Sequence, residues 1–295
     1  MRQFDHRRTW GPTPAYPHVL AVKSRPESGL IVLAGPCSVE SDEQVAKVVP
    51  VLKDCRVTYA RGGVYRAGTY PKPTDLTARG NQTRKRIQPF GLQTGLLRHW
   101  ADAVRKAGLR TIVEVLDIRQ TETIDRYADA FQVGARHMQD YALLKKLSRS
   151  RKVVALKRAP GATLDEFLGA AEYLAQGACS PILIERGSAT HMNHVRWDLS
   201  VSLIAAAKRM TGLPVLVDAS HGTGRSDLVV PMTLAGVAAG ADGFLVEVHP
   251  DPGNSLSDAD QALRLSDLWA LVNRAEDVRH ATTKAITRLN GVRYP

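Results

Sequence analysis

The chain has 295 residues, 44% hydrophobic and 23% charged, the balance of an ordinary soluble globular enzyme built as one large α/β domain or two smaller ones. No apolar run approaches the roughly 20 residues of a membrane span, and three scattered cysteines, Cys37, Cys55 and Cys179, exclude a disulfide framework and point to a reducing cytoplasm. The formal net charge of +11 suits nucleic acid or phosphorylated metabolites, but no zinc-finger spacing, aromatic RNA-binding run or heptad accompanies the basic runs "RGNQTRKR" (79–86) and "KKLSRSRK" (145–152), so no nucleic-acid partner is expected.

In chain order, "MRQFDHRRTWGPTPAYPHV" carries charges without an apolar core, so no secretory signal is expected there. Short β-branched runs then alternate with longer helical patterns. The expected strands are "LIVLAGPCS" (30–38), "VTYARGGV" (57–64), "RTIVEVLD" (110–117), "FQVGAR" (131–136), "VVALKR" (153–158), "PILIER" (181–186), "PVLVDASH" (214–221) and "GFLVEVHP" (243–250). Between them, "DEQVAKVVPVLKD", "GLLRHWADAVRKAG", "LDEFLGAAEYLAQG" and "DLSVSLIAAAKRMTG" read as helices, several stopped by glycine. Eight near-continuous apolar strands with intervening helices predict a closed (β/α)8 barrel. A doubly wound open sheet is the alternative. It would want a glycine-rich phosphate loop after its first strand, where this chain has Gly-Pro-Cys-Ser.

Each expected strand starts apolar and ends polar or charged, at Cys37, Arg61, Glu114, Arg136, Lys157, Arg186, His221 and Glu247. In a barrel these ends meet at the C-terminal face, where barrel enzymes do their chemistry. Arg61, Arg136, Lys157 and Arg186 form one group. Four buried or half-buried cations at one pole repel one another without an anion. Arginine forks match phosphate and carboxylate oxygens, so a small phospho-carboxylate is the expected ligand. Glu114 would orient a cation or a water.

Cys37, His221, Glu247 and Asp258 form the second group. A thiol, an imidazole and two carboxylates suit Mn²⁺, Fe²⁺, Co²⁺ or Zn²⁺, and the thiol argues against Mg²⁺ or Ca²⁺. For Cys37 alone, packing and nucleophilic roles stand beside this one. A nucleophile activated by His221 would leave the arginines unexplained. Cys55 and Cys179 lack charged company and read as inert.

"AGPCSVES", "RGG", "EVLD", "GAR", "LKR", "ERG", "VDASHGTGRSDLV" and "GADGFLVEVHPDPGNSLSDADQAL" occur in this order. Between about residues 29 and 275 the chain resembles the metal-dependent class I 3-deoxy-arabino-heptulosonate 7-phosphate (DAHP) synthases and their octulosonate-phosphate synthase relatives. The resemblance implies a (β/α)8 barrel over 29–295, ending in a helical segment, behind an N-terminal extension of residues 1–28. It implies condensation of phosphoenolpyruvate (PEP) with an aldose phosphate, erythrose 4-phosphate in the DAHP case, giving a 3-deoxy-2-keto sugar acid and phosphate. Carried over by position, Cys37, His221, Glu247 and Asp258 match metal ligands, while Arg61, Arg136, Lys157 and Arg186 match residues that hold PEP. Lys157, Glu114 and His221 are the candidate catalytic groups. A cytoplasmic homo-dimer or tetramer without an added regulatory domain is implied.

The acceptor loop departs from the family. After RGG, DAHP synthases read Lys-Pro-Arg-Thr, and this chain reads "VYRAGTYPKPTDL". Arg66 replaces the lysine and still suits PEP. Ala67 and Gly68 stand in place of Pro-Arg, and Thr69 is kept. Either Lys72, Arg79 and Arg84 supply a substitute phosphate contact or the acceptor carries no phosphate, with Thr69 and Lys72 as acceptor-binding candidates. "LKRAPGATLDEF" and "ERGSATHMNHVRWDLS" also drift, the latter with His191, Met192, Asn193 and His194. These departures leave open the same chemistry on a non-standard aldehyde in secondary metabolism. A non-catalytic barrel serving as a binding or regulatory partner is the alternative of a different class.

Overall fold

The computed structural model describes residues 17–21, 29–64 and 92–288. Eight parallel strands form the frame: β1 (Ile31–Gly35), β2 (Tyr59–Arg61), β3 (Arg110–Glu114), β4 (Ala130–Val133), β5 (Val153–Lys157), β6 (Ser180–Glu185), β7 (Val215–Asp218) and β8 (Gly243–His249). They pair in sequence order, and β1 also pairs with β8 from Ile31↔Gly243 to Gly35↔Glu247, which closes the barrel. A two-residue strand, β9 (Leu263–Arg264), extends β8 beyond the barrel. The expected (β/α)8 architecture is what forms, and the four expected helices are present as Asp42–Asp54, Thr94–Lys106, Leu164–Ala175 and Val201–Met210.

Side chains alternate across each strand with period two, and both faces are covered. Outward residues such as Val32, Val113, Phe131, Val154, Leu183, Val217 and Phe244 join the helices in one apolar layer. Inward residues Leu33, Tyr59, Ile112, Ala130, Ala155, Ile182, Ile184, Leu216 and Leu245 fill the barrel as a second cluster. One step of two further along the same inward rows stand Arg61, Glu114, Gln132, Lys157, Arg186, Asp218 and Glu247. The barrel interior is therefore a plug of hydrocarbon with a charged layer laid on its C-terminal end.

Several expected strands overran. β1 ends two residues before Cys37 and β7 three before His221; β4 ends at Val133, ahead of Arg136. The chain leaves the ladder and turns at once: Arg136 sits on a 3-10 turn, Ala135–His137, and His221 on a short helix, Ala219–Thr223. Asp218 caps that helix, accepting the His221 N–H at 3.0 Å.

A short helix at Pro17–Ala21 packs on Leu164–Ala175. Its opening N–H groups have no intrahelical acceptor; Glu172 supplies one, taking the His18 N–H at 3.1 Å and the Val19 N–H at 2.9 Å. Burial alone pushes the Glu172 carboxyl up, but these donors and the His18 ring outweigh it and hold it below its usual 4.5. The attachment is thus present above pH 4.5 and is lost as pH falls through the lowered value. Hydrogen exchange at Val19 should rise on acidification below pH 4.5. Glu172→Ala should raise it already at neutral pH, with a cost of about 1–2 kcal/mol.

Candidate active site at the barrel mouth

The charged layer is a continuous chain of ion pairs. Lys157 Nζ lies 2.8 Å from Asp218 Oδ2 and 3.4 Å from His221 Nδ1. Asp218 in turn holds His221 Nδ1 at 2.9 Å, and His221 Nε2 is 3.1 Å from Glu247 Oε1. Arg61 donates to the same Glu247 oxygen, while Gln261 Nε2 donates to Oε2 at 2.6 Å and the Glu247 N–H donates to Ser220 Oγ at 3.0 Å.

Four of these groups, Asp218, Glu247, Arg61 and His221, are shifted by their neighbours. Burial pushes the Asp218 carboxyl up, yet His221 and then Lys157 pull it far below the usual carboxylate range. Glu247 follows the same pattern, with His221 and Arg61 overcoming burial. Burial opposes charge on Arg61 as well, but Glu247 more than restores it. On His221 burial works against the proton, and Asp218 with Glu247 retain it.

On the outer side of Glu247, Cys37 Sγ donates to Asp258 Oδ2 at 3.0 Å. Ligand atoms of Cys37, Glu247 and Asp258 all lie within 4.8 Å of one another. His221 stands outside that three-way cluster and touches it through Glu247. Burial first, then Glu247 and Asp258, raise the Cys37 thiol well above its ordinary value. A cation among these groups would reverse that penalty, and the mixed thiol, carboxylate and imidazole donors fit a divalent transition metal.

The loops carrying these donors are pinned to one another. Glu40 accepts the Leu256 N–H at 2.7 Å and pairs with His249 at 3.4 Å, and the Ser38 and Ser257 hydroxyls are 2.8 Å apart. Asp258 itself takes a left-handed backbone, φ 51°, which its short polar side chain tolerates. The "RGG" block has a matching reason: a Cβ on Gly63 would sit 1.9 Å from the Cys37 carbonyl oxygen.

Of the four expected cations, Arg61, Lys157 and Arg186 are buried. Arg136 departs from the expectation and is exposed, because β4 ends before it and the 3-10 turn swings it to the rim. It still lies near enough to weaken the charge on Arg186. Arg186 lies over the Trp197 ring at 5.3 Å and donates to the His221 carbonyl at 3.3 Å. Glu114 is half-buried, with its carboxylate against the Gly134 backbone and its charge felt at Arg61. Arg66, Thr69 and Lys72, with Arg79, Arg84 and the run 79–86, lie outside the described residues.

Sequence reasoning missed Asp218 and Gln261. Asp218 was legible as the one acid in the apolar run "VLVD"; Gln261 carried no signal of its own. It also left Arg158 and Glu185 unassigned. Their strand parity puts them outside the barrel, where Arg158 forks onto Glu185 at 2.5 and 2.8 Å and donates to Ser188 Oγ and the Ala162 carbonyl. Glu185 also accepts the Gly187 and Ser200 N–H groups, so the pair braces the loop after β6.

The chain matches the DAHP synthetase I family over residues 22–284. It belongs to that family. It is 37% identical over 251 residues to a phospho-2-dehydro-3-deoxyheptonate aldolase of Thermotoga maritima, covering 85% of this chain and 70% of the relative. A 2-dehydro-3-deoxyphosphooctonate aldolase of Syntrophotalea carbinolica is 30% identical over 250 residues, covering 80% and 86%. The crystal structure of the Thermotoga maritima DAHP synthase matches with a TM-score of 0.76 at 33% identity, over 86% of this chain and 70% of that one. As a member, this chain is a transferase that forms a carbon–carbon bond between PEP and an aldose phosphate. The DAHP synthetase I family is in general metal-dependent.

The outer brace makes a stability prediction separate from catalysis. Arg158→Ala leaves the Glu185 carboxylate buried with its charge unpaired, which costs roughly 3–5 kcal/mol. The urea midpoint should fall accordingly, and Arg158→Ala with Glu185→Ala together should recover part of the loss.

Proposed function

We propose that this enzyme condenses PEP with erythrose 4-phosphate to a seven-carbon 3-deoxy-2-keto sugar acid phosphate, releasing inorganic phosphate. The observation that carries the reading is the meeting of two groups at one barrel mouth: buried Arg61, Lys157 and Arg186 beside the Cys37, Glu247 and Asp258 cluster with His221. The higher identity to a heptonate than to an octonate aldolase, 37% against 30%, favours the four-carbon acceptor.

In this reading Arg61, Arg66, Arg136, Lys157 and Arg186 hold the phosphate and carboxylate of PEP and fix its orientation before reaction. Carbon 3 of PEP bonds to the aldehyde carbon, whose oxygen gains a proton. Water adds at carbon 2, and phosphate leaves with its bridging oxygen by C–O cleavage, which leaves a ketone. Arg61, Lys157 and Arg186 are buried, and there they stabilise the charge on the departing phosphate. Lys157 Nζ, held by Asp218, is placed to give and take the proton, Asp218 orients the His221 ring, and Glu114 orients a water or a cation.

Cys37, His221, Glu247 and Asp258 would hold the metal, Mn²⁺, Fe²⁺, Co²⁺ or Zn²⁺. When bound there it supplies Lewis-acid polarisation of the aldehyde oxygen. Thr69 and Lys72 complete the acceptor side. Cysteines free of disulfides and the family resemblance support a cytoplasmic homo-dimer or tetramer.

Phosphate release assayed with PEP, erythrose 4-phosphate and Mn²⁺ tests the reading. Turnover should need all three and stop on chelation. Cys37→Ala should lose on the order of a hundredfold or more in kcat/KM and bind Mn²⁺ more weakly in a direct titration. Absence of metal-dependent release with both four- and five-carbon aldose phosphates would overturn it.

A further inference from the structure

One arginine at the mouth has no role in the account above. Arg196 lies on the loop after β6, and its guanidinium reaches a single ionic neighbour among the described residues, Asp258, at 3.7 Å. That is beyond direct hydrogen-bond length. Nearby arginines are served differently: Arg61 donates to Glu247, Arg158 forks onto Glu185, and Arg225 reaches Asp227 at 2.7 and 3.1 Å. Among the described residues, most of its five donors thus have no close acceptor.

Its place is fixed. The Arg196 and Trp197 N–H groups donate to the Thr223 and Gly222 carbonyls at 2.9 and 2.8 Å, and Ser188 and Asp198 exchange backbone hydrogen bonds at 2.8 and 3.0 Å. This stitches the segment onto the turn that carries His221. Gly224, at φ 67°, leaves the room it needs, since a Cβ there would lie 2.8 Å from the Arg196 Cβ. The backbone that carries Arg196 is thus fixed beside the mouth, and its guanidinium is on the Asp258 side of it.

Its neighbours define what it would meet. On one side is Asp258, of the candidate metal cluster, where the acceptor aldehyde would be bound. On the other is Arg186, of the PEP group, over the ring of Trp197. Burial draws Arg186 down to about 10, Asp218 resists, and the charge of Arg196 draws it down further. Two guanidinium groups that close together make a place for an anion. PEP claims Arg186, which leaves Arg196, half open to solvent, facing the anionic end of the second substrate.

We propose that Arg196 anchors the phosphate of the aldose phosphate acceptor, with its fork taking the phosphate oxygens while the aldehyde end lies toward Asp258. The proposal rests on the reading of the site given above. It assigns phosphate recognition to a residue that the turn after β7 holds rigidly, where the segment after Arg61 has Ala67 and Gly68. Arg196 is here a specificity residue, and its loss removes discrimination between a phosphorylated and an unphosphorylated sugar.

The experiment compares wild type, Arg196→Ala and Arg196→Lys with erythrose 4-phosphate and with erythrose. Arg196→Ala should raise the KM for erythrose 4-phosphate roughly tenfold or more, as loss of a charge-assisted contact does. The KM for PEP, the affinity for Mn²⁺ and the slow rate with erythrose should stay within about twofold, and the lysine variant should recover part of the loss. A parallel titration of Mn²⁺-loaded protein with both sugars reads binding without turnover: wild type should prefer the phosphorylated sugar and Arg196→Ala should not. An unchanged preference in the alanine variant overturns the proposal. So does a fall in Mn²⁺ or PEP affinity that accounts for the loss, which would make Arg196 a support for Asp258 or for PEP. If wild type releases no phosphate from PEP at all, the reading of the function fails, and the titration still decides the role of Arg196.

Discussion

The Asp218 carboxylate is the contact on which the mouth of this barrel depends. It neutralises Lys157, orients the His221 ring and caps the turn that presents His221, all from the last residue of β7. Through His221 it is coupled to Glu247, and through Glu247 to Arg61. Five charged or chargeable side chains from four strands and one turn share one low-dielectric layer, where unpaired charge is costly. None of the five is placed without the others, and the depressed carboxyl groups of Asp218 and Glu247 express that mutual dependence.

Parity explains why the layer forms at all. An inward residue near the strand start meets seven other strands and must be apolar, as Leu33, Ile112, Ala155 and Leu245 are. Two residues on, the same row reaches the mouth and is free to be polar. Adjacent residues then take opposite fates. Lys157 faces in and joins the ion pairs at the mouth, while Arg158 faces out and braces a loop; Glu185 and Arg186 divide the same way. The paired Arg158 and Glu185 hold the loop that carries Trp197, so the outer pair supports the floor of the inner one.

Much of this was legible in the sequence. Eight apolar runs gave the barrel, and the polar residue at the end of each gave most of the mouth. What blurred was where each run stopped. "PVLVDASH" reads smoothly into His221, although the chain has already turned at Ala219. Counting His221 as the strand end hid Asp218, which shares its parity with Leu216. The same overrun placed Arg136 among buried cations, when it rides a turn at the rim. Gln261 and Glu40 were out of reach for another reason: their partners, Glu247 and His249, are many residues away, and only folding brings them together.

The site is built in two manners that match two demands. Of the cations proposed for PEP, Arg61, Lys157 and Arg186 sit at strand ends or against them, fixed by ladders and by buried contacts. Arg196, proposed for the acceptor, and Asp258 sit on loops, and the described loops there are fixed by stitches: Ser188 with Asp198, Arg196 with Thr223, Glu40 with Leu256. A strand end holds a side chain to one position, which suits a substrate whose reaction never changes. A stitched loop can alter its side chains without disturbing the barrel, because only its backbone groups carry the attachment. The departures from the family pattern fall in the segments after β2, β5 and β6, while Arg61, Lys157, Asp218, His221 and Glu247 form one interlocked layer in which a single exchange would strand the rest.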